Sequence, residues 1–105
     1  MNLTRIEQLL KFLEEDPNDA FSLYALALEY KKSNPAEAVK LFRQLLTDHP
    51  DYLPTYYQAG LAMEESGNTV EALEFYQKGI TLARKLNDAA TLKELQAAYN
   101  LLSDD

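Results

Sequence analysis

The chain has no cysteine, a single histidine, three glycines and few basic residues. Each shortage removes a class of protein. Without cysteine there is no disulfide framework, no thiolate metal site and no cysteine nucleophile. No stretch approaches the ~18 consecutive apolar residues that a membrane helix needs. The opening residues Met1 to Glu7 mix charge into their apolar positions, unlike the continuous run of a signal peptide, so cytoplasmic residence is the expectation. Ten lysines and arginines stand against seventeen acids, a formal net charge of -7. That field repels phosphate backbones and anionic lipid, so neither nucleic acid nor membrane is an expected partner. Ordinary solubility accounts for the acidity.

Catalysis finds equally little material. His49 lies between Asp48 and Asp51, and an acid beside a histidine can serve proton transfer or metal binding. No nucleophile accompanies it, and a solvated turn residue near a helix C-terminus explains it as well. Ser22, Ser33, Ser66 and Ser103 have no histidine in the same helical unit. Gly60, Gly67 and Gly79 are assigned to close packing and a turn, which leaves no phosphate-cradling loop. The sequence therefore predicts a non-enzyme with no catalytic residue, no cofactor and no metal.

What is present is an internal repeat. Leu23, Leu26, Ala27, Leu28 and Tyr30 recur in the same order as Tyr56, Ala59, Gly60, Leu61 and Met63. Glu37, Ala38 and Phe42 recur in turn as Glu71, Ala72 and Tyr76, at an offset longer by a single position. The change of offset places a one-residue deletion in a turn of the first unit, between Tyr30 and Ala38. Apolar spacing predicts six helices and no alternating strand pattern. They fall near Thr4 to Glu15, Asp19 to Lys32, Pro35 to Asp48, Tyr52 to Ser66, Thr69 to Lys85 and Asp88 to Leu102. Thr4 and Glu7 are spaced as a capping box, Asn34 and Asn68 precede helix starts, and Gly67 supplies a left-handed turn. At 105 residues a single domain is expected.

These residues resemble the tetratricopeptide repeat, whose pattern is aromatic-x2-Leu-Gly-x2-Tyr on one helix, Ala-x3-Phe on the next, then proline. The first copy reads Leu23-x2-Leu26-Ala27-x2-Tyr30, Ala38-x3-Phe42 and Pro50. The second reads Tyr56-x2-Ala59-Gly60-x2-Met63, Ala72-x3-Tyr76 and Arg84. Leu23, Met63, Ala59 and Arg84 depart from the pattern, and all but Arg84 stay apolar. Leu9 to Pro17 is similar to the second helix of an incomplete repeat. The segment Asp51 to Gln58 resembles that of small, stand-alone bacterial members of the family. The resemblance implies an all-α, right-handed superhelix with two full repeats, residues 20–52 and 53–86, between an N-terminal helix at 3–16 and a capping helix at 87–103. It also implies a scaffold whose concave face holds a peptide or a protein.

A 100° helical step sorts the second helix into two apolar stripes. Leu23, Leu26, Ala27 and Tyr30 form the expected core. Phe21, Tyr24, Ala25 and Leu28 form the opposite stripe, and Pro54, Tyr57 and Leu61 repeat it on the fourth helix. A helix apolar all round is normally buried all round. The cover for Tyr24, Leu28, Tyr57 and Leu61 is the chain's own terminal helices, a second copy or a foreign partner, and the sequence leaves these three open. Lys31 and Lys32 hold the positions that Glu64 and Glu65 take in the next copy, so the four charges are expected to pair and to set orientation at the rim. The predicted partner-binding set is Phe21, Tyr24, Leu28, Lys31, Lys32, Tyr57, Leu61, Glu64 and Glu65. Its predicted use is protein or peptide binding, with a homodimer through the same strip as the alternative. A lysine and asparagine clamp for acidic peptide tails is absent from these positions.

Overall fold

The computed structural model describes residues 4–104. Among the described residues there are six α-helices and no strand: α1 (Arg5–Glu15), α2 (Ala20–Ser33), α3 (Pro35–Asp48), α4 (Pro54–Glu65), α5 (Thr69–Lys85) and α6 (Ala89–Ser103). The chain divides into two compact units between Tyr52 and Leu53.

In the first unit, local chemistry fixes each helix start. The Glu7 N–H donates to Thr4 Oγ1 while the Thr4 N–H donates to Glu7 Oε1, both at 3.1 Å. This reciprocal cap satisfies two donors that a helix N-terminus leaves open. Asp19 accepts from the Ser22 N–H at 2.9 Å and from its hydroxyl at 2.6 Å, which starts α2. Asn34 serves two helices at once. Its own N–H donates to the Tyr30 carbonyl at 2.6 Å, and its side chain accepts from the Glu37 N–H at 3.4 Å. Pro35 follows at the first helical position, where its missing N–H costs nothing.

The interior of this unit lies between α2 and α3, with α1 packed on α2. Leu23, Leu26 and Ala27 are buried with Ala38, Leu41, Phe42 and Leu45. Burying one such leucine side chain contributes about 2 kcal/mol. Two residues depart from the predicted faces. Tyr30 is only half-buried and sits in the last turn of α2. Ala25 is buried although the helical step put it on the opposite stripe. On α1 only Leu9 is buried; Ile6 and Leu13 are half-buried and Phe12 is exposed.

In the second unit α4 packs on α5, and α5 on α6. Helix α4 starts at Pro54, later than the predicted Tyr52. The Tyr52 N–H is committed to the His49 carbonyl at 3.0 Å, which holds that residue in the preceding turn. Tyr56, Ala59, Met63, Ala72, Phe75, Tyr76, Ile80 and Ala83 form the core together with Leu95 of α6. Gly79 is small for a stated reason. A Cβ there would stand 2.6 Å from Tyr56 Cβ and 3.0 Å from a methyl of Leu95, so three helices meet at one point.

Two turns in this unit share one design. Gly67 and Asn87 have positive φ, 84° and 57°. After α4, the Gly67 N–H reaches the Glu64 carbonyl and the Asn68 N–H reaches that of Met63. After α5, the Asn87 N–H reaches the Arg84 carbonyl and the Asp88 N–H reaches that of Ala83. Both are Schellman closures. The residue that closes each helix then caps the next: Asn68 accepts from the Glu71 N–H and Asp88 from the Thr91 N–H. Gly67 is the residue without a counterpart between Ser33 and Asn34, and it accounts for the change of offset between the two copies.

Candidate functional site

Each unit carries its own share of the predicted strip. On α2, Phe21 is 60% exposed, and Tyr24, Leu28 and Lys31 are half-buried. The repeated apolar spacing places Phe21, Tyr24 and Leu28 along one side of the helix. Tyr24 is not bare. The ring of Tyr52 meets it edge to face, with centroids 5.7 Å apart and planes at 64°. The cover therefore comes from the turn after α3, a candidate the sequence reading does not supply because it assigns Tyr52 to the start of the fourth helix. Burial raises the Tyr52 phenol above its usual range, and the charge of Asp19 adds to that.

On α4, Tyr57 and Leu61 are half-buried. The Tyr57 ring lies tilted at 43° against Tyr76, with centroids 6.3 Å apart. Tyr76 is itself fully buried, and its hydroxyl donates to Glu64 Oε2 at 2.5 Å. Desolvation, with the Glu64 carboxylate second, pushes this phenol far above the ordinary tyrosine range. A Cβ on Gly60 would meet the Tyr76 ring at 2.1 Å, so the glycine is needed for the aromatic ring to pass.

The rim charges find partners close by. Lys32 pairs with Glu29 of its own helix at 3.4 Å, and Glu64 accepts from Tyr76. Each contact lies within its own unit, the first at an i,i+3 helical spacing and the second between α4 and α5. Glu65 and Lys32 are exposed.

His49 makes its contact across the unit, away from its neighbours in sequence. Its Nε2 lies 3.2 Å from Asn18 Oδ1, so the ring ties the turn after α3 to the turn before α2. Among the described residues no group of three or more histidines and acids could hold a metal ion, and no helix is long and apolar enough to cross a membrane.

The comparisons agree with this architecture. The tetratricopeptide repeat profile matches residues 19–52. A solution structure of a tetratricopeptide repeat domain protein from Salinibacter ruber is 38% identical, with a TM-score of 0.79, over 84% of this chain and 90% of that one. A crystal structure from the same organism gives 38% identity and a TM-score of 0.78, over 83% and 98%. A solution structure of a Bordetella parapertussis protein shares the fold at 20% identity, with a TM-score of 0.83 over 98% and 90% of the two chains. Repeats of this kind are in general scaffolds for protein–protein contact. The repeated sequence, the packed helix pairs and the Salinibacter likeness together place this chain in the tetratricopeptide repeat family.

Proposed function

We propose that the chain is a non-catalytic interaction scaffold that holds an apolar segment of a peptide or protein. The contacts are Phe21, Tyr24 and Leu28 on α2 and Tyr57 and Leu61 on α4. Lys31, Lys32, Glu64 and Glu65 orient the segment from the rim. The observation that carries this reading is Phe21, an aromatic ring 60% exposed beside two half-buried apolar residues of the same face. Aromatic anchors of this type supply large contact area at low entropic cost, and one that becomes buried contributes ~2 kcal/mol or more.

Selection of a displayed random-peptide library on the immobilised chain tests the proposal. Enriched peptides with apolar anchors should lose at least tenfold in affinity to Leu28→Glu, with the thermal midpoint unchanged. Enrichment that ignores this substitution would overturn the assignment. Sedimentation equilibrium separates the alternative use of the strip: a wild-type dimer that Leu28→Glu makes monomeric would assign it to self-association.

A further inference from the structure

Helix α6 is the first helix of a third repeat. Asp19, Ala20, Ser22, Leu23, Leu26 and Tyr30 recur at one constant offset as Asp88, Ala89, Thr91, Leu92, Leu95 and Tyr99. The same cap starts both helices. Thr91 donates its N–H and hydroxyl to Asp88, as Ser22 donates both to Asp19. Helix α1 is the complementary half. Leu9, Phe12 and Pro17 keep the spacing of Phe42, Leu45 and Pro50 in and after α3, so α1 is a second helix.

Burial differs between these two helices and their equivalents. Leu45 is fully buried in its repeat, whereas its equivalent Phe12 is 58% exposed. Leu23 is 4% exposed, whereas its equivalent Leu92 is only half-buried. In the second unit the residues at these two positions touch: a Cβ on Gly79, the equivalent of Phe12, would abut Tyr56, the equivalent of Leu92.

We infer that α6 of one copy packs on α1 of another as a first helix packs on a second, with Leu92 against Phe12. The contact repeats the α4 to α5 pairing already present in the chain, which is why a second copy is the occupant. It is heterologous, so each copy offers α6 to one neighbour and α1 to another. Arg5 stands where Ala38 and Ala72 are fully buried, which holds this junction wider than one inside a repeat and makes the association reversible. The net charge of -7 opposes it, so salt should strengthen it. The strip of the proposed function is not used.

The test uses sedimentation velocity of the full chain over a wide concentration range at low and high salt. Average mass should rise continuously with concentration and with salt. Phe12→Glu and Leu92→Glu should each be monomeric, and an equimolar mixture of the two should stop at a dimer, because each supplies the end the other has lost. A second measurement does not depend on how well Leu92→Glu folds. In this cysteine-free chain, oxidising a mixture of Phe12→Cys and Leu92→Cys should give the mixed dimer in large excess over either self-linked product. A monomer at every concentration and salt, association indifferent to Phe12→Glu, or equal yields of the three cross-linked species would overturn the inference. Leu28→Glu should leave the assembly intact, which keeps a failure of this inference apart from a failure of the proposed function.

Discussion

The ring of Tyr76 lies over Gly60 so closely that a Cβ on the glycine would stand 2.1 Å from ring carbon Cε1. The equivalent positions in the first repeat hold Ala27 and Phe42, both fully buried. The second repeat has traded a methyl group for a hydroxyl that reaches Glu64.

Gly60→Ala should therefore destabilise the fold by about 1 to 3 kcal/mol through overpacking. Tyr76→Phe in the same chain frees the ring from Glu64 and should recover part of that loss. A double-mutant cycle by urea denaturation measures it; strictly additive effects would mean that the two residues do not share one space.

Alkaline pH should act on the same ring. Its phenol is held protonated in the folded state, above the unfolded value of about 10. A raised folded pKa gives stability that is complete below the unfolded value and lost as pH climbs past it, by up to about 1.4 kcal/mol per pH unit. Denaturation between pH 8 and 11.5 should show the fall above pH 10, and Tyr76→Phe should be flatter there. Identical slopes in the two proteins would remove Tyr76 as the cause.

Thr55 is fully buried, and among the described residues its hydroxyl has no hydrogen-bond partner. Valine has nearly the same shape without the desolvated oxygen. Thr55→Val should raise stability by about 1 kcal/mol, read as a shift of the urea midpoint at constant m-value. A loss instead would show that the hydroxyl is solvated.

The paired Schellman turns place different residues at positive φ, Gly67 and Asn87. Gly67→Ala should cost about 1 kcal/mol, since a Cβ is strained there. Asn87→Gly should be neutral or stabilising by a few tenths of a kcal/mol. Thermal melts of the two variants check the opposite signs.

Helix positions, caps and the repeat itself are legible in the sequence because each leaves a local pattern. Thr4 with Glu7, Asn34 with Pro35, and Gly67 all act within a few residues of themselves. The second positive-φ residue, Asn87, escapes a sequence reading, since asparagine is far less committed to that conformation than glycine. Contacts between segments are the harder part. Periodicity places Tyr24 on an uncovered stripe but cannot bring Tyr52 from a turn onto it, and it cannot link His49 to Asn18. The small size of Gly60 signals close packing, but the sequence does not say that the crowding atoms belong to the Tyr76 ring. Tyr30 matches the repeat pattern yet stays half-buried, because a pattern records position along a helix and not burial.

Asn34 belongs to two helices with no residue between them, its N–H closing α2 while its side chain opens α3. Fraying of the last turn of α2 and the first turn of α3 is then a single event. Amide exchange at Asn34 and at Glu37 should follow one opening rate, which makes this corner a hinge that cannot be loosened on one side alone.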